Sequence, residues 1–229
     1  MIKIHLQESE AELFCSSKWW GDPDFPADME YPTVEVTDEE GTYDYPLTFV
    51  CQIDCEDLAP LDPEGLLPHQ GMFYLFAGLD EYLDQFESPF HNGPGPWPRK
   101  MVAVKYTKAI NFETFRSAIL VDDEDQPLTQ PALKMTFSPC EDNAPCTRLL
   151  PEVSEEAFCL LEIVSGTAGL QFPDQGSLRF SYAPADWAAG KWKLVKGNVS
   201  IRATAYCSRE RSWLHLQKVH EICLQENRF

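Results

Sequence analysis

Apolar residues along this chain alternate over short stretches far more than they recur every three or four positions. Ile2, Ile4 and Leu6 alternate with Lys3 and His5, and Val102, Val104 and Tyr106 alternate with Met101, Ala103 and Lys105. A period of two is the signature of a strand with one greasier face. Two runs, Leu47–Ile53 and Phe158–Val164, are nearly continuous in apolar residues, which predicts strands covered on both faces. Further strands are predicted at Gly71–Ala77, Leu133–Phe137 and Gly176–Tyr182. Gly197-Asn198 reads as a two-residue hairpin turn between Trp192–Lys196 and Val199–Ala205.

Helical signals are few. Leu79–Phe86, Phe112–Val121 and the stretch beginning Asp186-Trp187 are short helix candidates. From Ser208 onward Trp213, Leu216, Val219, His220 and Cys223 have helical spacing, which predicts a terminal amphipathic helix. Residues 16–46 hold Trp19, Trp20, Tyr31 and several prolines, and are predicted as an irregular segment plating the core.

One phrase occurs twice. Leu67-Pro68-His69-Gln70-Gly71 leads into Met72–Phe76. Phe172-Pro173-Asp174-Gln175-Gly176 leads into Ser177–Ser181, 105 positions later. Each copy follows one of the two apolar runs and precedes an acid–aromatic pair, Glu81-Tyr82 or Asp186-Trp187. A pattern of this size predicts one supersecondary unit used twice. The glycine of each copy is expected to supply a positive φ where the strand begins. The first copy is apolar on both strand faces, whereas the second carries Arg179 and Ser181 on one. The aromatic 16–46 segment is expected to cover the extra apolar face.

Composition changes this picture mainly through charge. The 229 residues carry a net charge of −19, with 18 prolines against 12 glycines. The acidity argues against nucleic acid as a partner, because like charges repel, and suggests a basic protein partner instead. No apolar run approaches the roughly 20 residues needed to span a membrane. The first ten residues lack the apolar core of a secretory signal. A cytoplasmic protein with free thiols is therefore expected. Cys51 and Cys159 match between the copies and read as core. Cys140 and Cys146 share a Pro-rich loop and are candidates to approach one another.

Chemistry-bearing motifs are sparse. A nucleophile elbow, a P-loop and a dinucleotide fingerprint are all absent. Cys51-x3-Cys55 and Cys140-x5-Cys146 are poor zinc spacings, so neither metal nor cofactor is expected. Asp122–Asp125 lacks the alternation of a calcium loop. His69, near Asp54, Glu56 and Asp57 and matched to Asp174 in the second copy, is the candidate for acid–base work. Gln52 and Glu162 match between copies and are expected to tie loops to the sheet or to line a cleft. Trp19, Trp20, Trp97 and Tyr31 are candidates to stack on a ligand.

Ser17-Lys18-Trp19-Trp20-Gly21-Asp22-Pro23, Tyr31-Pro32, the run ending Gln52-Ile53-Asp54, and Leu67-Pro68 to Phe76 resemble the YwqG-like family of bacterial domains of unknown function. Phe172 to Phe180 is similar to a segment of that family's second half. Trp20, Tyr31 and Pro173 depart from the family's usual residues. The resemblance covers roughly 14–80 and 158–192. It implies a mostly β, internally duplicated α+β fold, and no established activity or site. The combined expectation is an α+β, predominantly β fold. It comprises two pseudo-symmetric halves, each a strand–loop–strand–short-helix unit (about 47–87 and 158–192), around mixed or antiparallel sheets within a single domain, 1–229. The expected function is a non-enzymatic interaction module. Small-molecule or carbohydrate binding at an aromatic cleft, and catalysis by His69, are the alternatives.

Overall fold

A computed structural model of the chain describes residues 1–39, 41–83, 88–89, 91–121, 125–140 and 145–201. The first strands are β1 (Ile2–Gln7), β2 (Lys18–Trp19), β3 (Asp24–Phe25), β4 (Thr33–Thr37), β5 (Thr42–Pro46), β6 (Thr48–Asp54) and β7 (Met72–Ala77). A four-residue helix, α1 (Asp80–Leu83), follows. Next come β8 (Gly95–Pro96), β9 (Val102–Thr107), β10 (Arg116–Ser117), β11 (Leu133–Pro139), β12 (Arg148–Val153), β13 (Phe158–Val164) and β14 (Ser177–Tyr182). The last elements are α2 (Pro184–Ala188) and β15 (Lys196–Ser200).

One curled antiparallel sheet of eleven strands carries the molecule, in the order β8-β15-β14-β13-β12-β1-β11-β2-β6-β7-β9. The fold is predominantly β, but this overturns the expectation of an α+β fold built as two pseudo-symmetric halves around mixed or antiparallel sheets. Strands β12, β1, β11 and β2 join hairpin β13–β14 to hairpin β6–β7 edge to edge. β1 lies at the middle of the sheet, pairing Ile4 with Phe137 on one side and Ile2 with Leu149 on the other. The described α-helices are four and five residues long, too short to form a layer of their own.

Several local expectations change for identifiable reasons. The 16–46 segment is not irregular: it contains β2, β3 and the hairpin β4–β5. The helix predicted over Phe112–Val121 is a turn and the two residues of β10, which pair with β3. Gly197-Asn198 is not a turn but the middle of β15, paired with β14 and β8. A side chain at Gly197 would sit 2.6 Å from Val102 Cγ1, so the glycine is there for packing. The terminal helix predicted from Ser208 lies outside the described residues, as does most of Asp122–Asp125.

All six residues of β7 are buried. The ring of Phe25 meets Tyr74 edge-on at 5.1 Å, and Tyr31 meets Phe76 at 5.3 Å. The aromatic segment thus covers the second face of this strand. Across the sheet, β14 alternates buried and half-buried positions at its centre, with Leu178 and Phe180 inward.

Candidate functional site

The residues of the Ser17-Lys18 and Gln52-Ile53-Asp54 motifs converge because β2 pairs with β6, placing Lys18 opposite Gln52. Their common partner is Asp24, which is fully buried. Its Oδ2 accepts from Lys18 Nζ at 2.8 Å, Gln52 Nε2 at 2.7 Å and the Cys15 amide at 2.8 Å. Its Oδ1 accepts from the Ser117 hydroxyl at 2.7 Å. The Asp24 amide donates to Gln52 Oε1, and its carbonyl accepts from Tyr74 Oη at 2.7 Å. Gln52 also donates to the Ser16 carbonyl. A buried ion pair that is fully hydrogen-bonded fixes geometry more than it adds stability. Here it holds left-handed backbone at Cys15 (φ 51°) and Trp20 (φ 59°), a conformation that costs a non-glycine residue about 1–3 kcal/mol. Burial, and then the Asp24 charge, push the Cys15 thiol up to about 11. Lys18 and Asp24 border a cleft of about 410 Å³ with Glu12 and Asp22, but Asp24 is committed to its partners. Gln52 ties the 15–24 loop to the sheet.

Glu162 does the corresponding work in β13 with charge. Arg148 Nε donates to its Oε2 at 3.0 Å, and Arg179 Nε and the Ser177 hydroxyl donate to its Oε1 at 2.9 and 3.0 Å. Burial opposes ionisation, but Arg179, Arg148 and Ser177 together outweigh it and hold Glu162 below the usual carboxylate range. Glu162 lines a cleft of about 220 Å³ that Gln52 does not border, so the two matched residues share no cleft.

A third site has a different character. Trp20, Tyr31, Tyr45, Leu47, Phe49 and Leu83 wall a small pocket whose acid is Asp80. The Thr48 hydroxyl donates to Asp80 Oδ1 at 2.7 Å, and Tyr45 lies against the same carboxylate. Asp80 Oδ2 is buried and accepts no hydrogen bond. The buried Tyr31 hydroxyl lies near the Phe49 main chain but forms no hydrogen bond of acceptable geometry. Burial raises both tyrosines above the usual phenol range, with Asp22 the next cause at Tyr31 and Asp80 the next at Tyr45, so both stay neutral phenols. Trp20 is pinned by an edge-on contact with Trp19 at 5.6 Å and by its indole N–H donating to the Ala168 carbonyl.

The model of a family described as Domain of unknown function (DUF1963) matches residues 17–159. The chain belongs to that family. No curated protein matches it. The DUF1963 span contains the Lys18–Asp24–Gln52 network and every residue lining the aromatic pocket, which run from Trp20 to Gln130. Glu162 and Arg179 lie beyond it.

The remaining sequence candidates fall elsewhere. Trp19 is fully buried and Trp97 nearly so, stacked on Tyr82 at 5.9 Å. Neither lines the aromatic pocket, which Trp20 and Tyr31 of that group border. His69 Nε2 lies 3.1 Å from Asp62 Oδ2, not beside Asp54, Glu56 or Asp57. Asp62 also accepts from the Leu67 amide, so it serves the loop. Asp174 is exposed in a 3-10 turn with φ 51°. Cys140 and Cys146 bring their sulfurs to 3.7 Å. Among the described residues no three His, Cys, Asp or Glu side chains form a metal-binding group, and no helix is long and apolar enough to cross a membrane. Sequence reasoning missed Asp80 and Tyr45. The only trace of them is that Tyr45 precedes the Pro46-Leu47 start of an apolar run and Asp80 precedes the acid–aromatic pair.

Proposed function

We propose that this DUF1963 chain is a non-catalytic binding protein whose small-molecule ligand sits in the Trp20–Tyr31–Tyr45–Asp80 pocket. The observation that carries the reading is the pair of buried polar atoms, Asp80 Oδ2 and the Tyr31 hydroxyl, left without partners on residues that line a mostly apolar, aromatic-walled concavity. Buried polar groups are ordinarily satisfied, and one left alone costs about 1–3 kcal/mol. A concave apolar site with a few convergent polar groups is the usual form of a ligand seat. By contrast, Asp24 and Glu162 are saturated with structural bonds, and His69 leans on a carboxylate that holds its own loop. The basic-protein reading rests on net charge alone, which names no place on the surface. The Ser17–Pro23 and Gln52–Asp54 motifs support placing the chain with the YwqG-like members of the family.

A fragment collection of amines, alcohols, acids and aromatics, read by ligand-observed NMR, tests the reading. Ligands of this size bind with a Kd of about 10 μM to 10 mM. At least one class is expected to bind the natural chain and to weaken about tenfold or more in Leu128→Trp, which fills the pocket from its rim. Binding by none of them, or equal binding to the filled variant, would sink the proposal.

A further inference from the structure

We propose that the ligand of this pocket is a small organic ammonium ion, seated with N–H groups toward Asp80 Oδ2 and the Tyr31 hydroxyl. This inference rests on the pocket being a ligand seat and adds the ligand's chemical class.

Charge comes first. Asp80 is 6% exposed, and among the residues that line the pocket there is no lysine, arginine or histidine. A carboxylate taken out of water needs a cation or a full set of donors. Thr48 and Tyr45 serve part of the group, and Oδ2 is left over. None of the described residues brings a cation there, so the missing charge is assigned to the ligand. An anionic ligand would meet Asp80 with like charge. A neutral alcohol would satisfy one oxygen and leave the charge unpaired.

The walls agree with the charge. Ammonium ions are attracted to aromatic ring faces, by about 0.5–2 kcal/mol in measured cases, and Trp20, Tyr31 and Tyr45 all line the space. Trp20 and Tyr31 are held in place before a ligand arrives. Trp20 is held by Trp19 and Ala168, and Tyr31 by Phe25 and Phe76 at 6.0 and 5.3 Å. Fixed rings lose little freedom on binding. The Tyr31 hydroxyl, an acceptor with no partner, offers a second place for an N–H.

Size narrows the class. The pocket has about 70 Å³ of room, against roughly 150 Å³ for a cavity that holds benzene. Only a few heavy atoms can be enclosed. A primary alkylammonium head fits this limit better than a bulky quaternary one, and its N–H groups use both orphan acceptors.

The test uses three probes of one shape: propylammonium, 1-propanol and propionate, titrated into the full chain and followed by NMR shifts. Propylammonium is expected to bind about tenfold or more tighter than 1-propanol, with propionate weakest. Asp80→Asn, which keeps an acceptor for Thr48, is expected to remove that preference. Tyr31→Phe breaks no existing hydrogen bond and so keeps the fold; it is expected to weaken propylammonium about threefold and leave 1-propanol unchanged. If 1-propanol binds as well as propylammonium and Leu128→Trp abolishes both, the pocket stands and the ammonium class falls. If propylammonium binds equally to the natural chain, Tyr31→Phe and Asp80→Asn, the assignment to these atoms falls. If no probe binds by roughly 50 mM while the fragment collection yields a ligand sensitive to Leu128→Trp, only the ammonium class falls. If the collection also fails, both proposals fall together.

Discussion

Hairpins β6–β7 and β13–β14 share a backbone plan and differ in what covers them. Each shifts register once, between Phe49 and Cys51 or between Cys159 and Leu161. In each, the second strand begins just after a glycine pressed against the next strand's main chain. Yet β7 is sealed on both faces, while Arg179 and Ser181 of β14 stay half-buried. The polar residue at the centre follows the cover. Under the seal stands Gln52, a neutral amide that both donates and accepts. At the open hairpin stands Glu162, a charge between two guanidinium groups that still reach water. Under the seal the charges form an internal pair, Lys18 with Asp24, that the neutral Gln52 hydrogen-bonds, whereas Glu162 is itself the charge, so one backbone plan takes different chemistry on its two sides.

The largest effects are expected where the plan is shared. A Cβ on Gly71 would lie 2.0 Å from the Thr107 carbonyl oxygen, and one on Gly176 would lie 1.9 Å from that of Ser200. Gly71 also has φ +81°, whereas Gly176 has φ −71°. Gly71→Ala therefore combines steric and conformational penalties, and Gly176→Ala carries the steric one alone. In urea denaturation Gly71→Ala is expected to cost about 4 kcal/mol and Gly176→Ala about 3. Gly65→Ala, with φ +63° and open space around it, should cost about 1. Equal costs at all three would mean that close strand approach is not what demands glycine.

These glycines also mark how far the sequence could be read. The doubled phrase rightly located two strand starts, but positive φ was expected at both glycines. In the second copy the left-handed residues are Asp174 and Gln175, and the glycine answers only to a neighbouring carbonyl. That neighbour belongs to β15, and strand pairing between distant segments leaves no local trace. Gly197-Asn198 misled for the same reason, because Val102 dictates the glycine from another strand. The aromatic cover was legible, since an unmatched apolar face on β7 must be buried by something. Asp80 and Tyr45 were not. Tyr45 lies in β5 and Asp80 opens α1, 35 positions later, and nothing adjacent to either residue announces their meeting.

The polar centres offer the next contrast. Asp24→Asn removes the charge facing Lys18, whose side chain is 7% exposed. A buried cation left without its partner costs about 3 kcal/mol or more. Glu162→Gln leaves Arg148 without its carboxylate and Arg179 with Glu152 alone, and their side chains are 17% and 36% exposed. Water can take over part of their solvation, so about 1–2 kcal/mol is expected. Equal losses in a side-by-side denaturation series would show that cover does not set the cost.

The subtlest test asks whether the two hairpins respond to acid with opposite sign. Asp54, at the end of β6, has its carboxyl raised by burial, with the Asp57 and Glu56 charges adding to this against the Glu56 amide. Glu162 has its carboxyl lowered, the arginines and Ser177 outweighing burial. A lowered folded value stabilises above the unfolded carboxylate range and is lost as pH falls through the folded value; a raised one destabilises the neutral-pH protein, and acid relieves it. Glu162→Gln should therefore be less stable than the natural chain at pH 7, with the gap closing only as pH falls through the lowered folded value of Glu162 and the natural residue takes up its proton. Asp54→Asn keeps the acceptor for the Glu56 amide, which lies 3.0 Å from Asp54 Oδ1. It should be slightly more stable than the natural chain at pH 7, and that advantage should vanish in acid. Urea midpoints at pH 7 and in acid read both gaps. A Glu162→Gln gap that persists unchanged at low pH would mean that packing, not the two arginines, holds that residue, and a destabilised Asp54→Asn at neutral pH would assign its carboxylate a favourable partner.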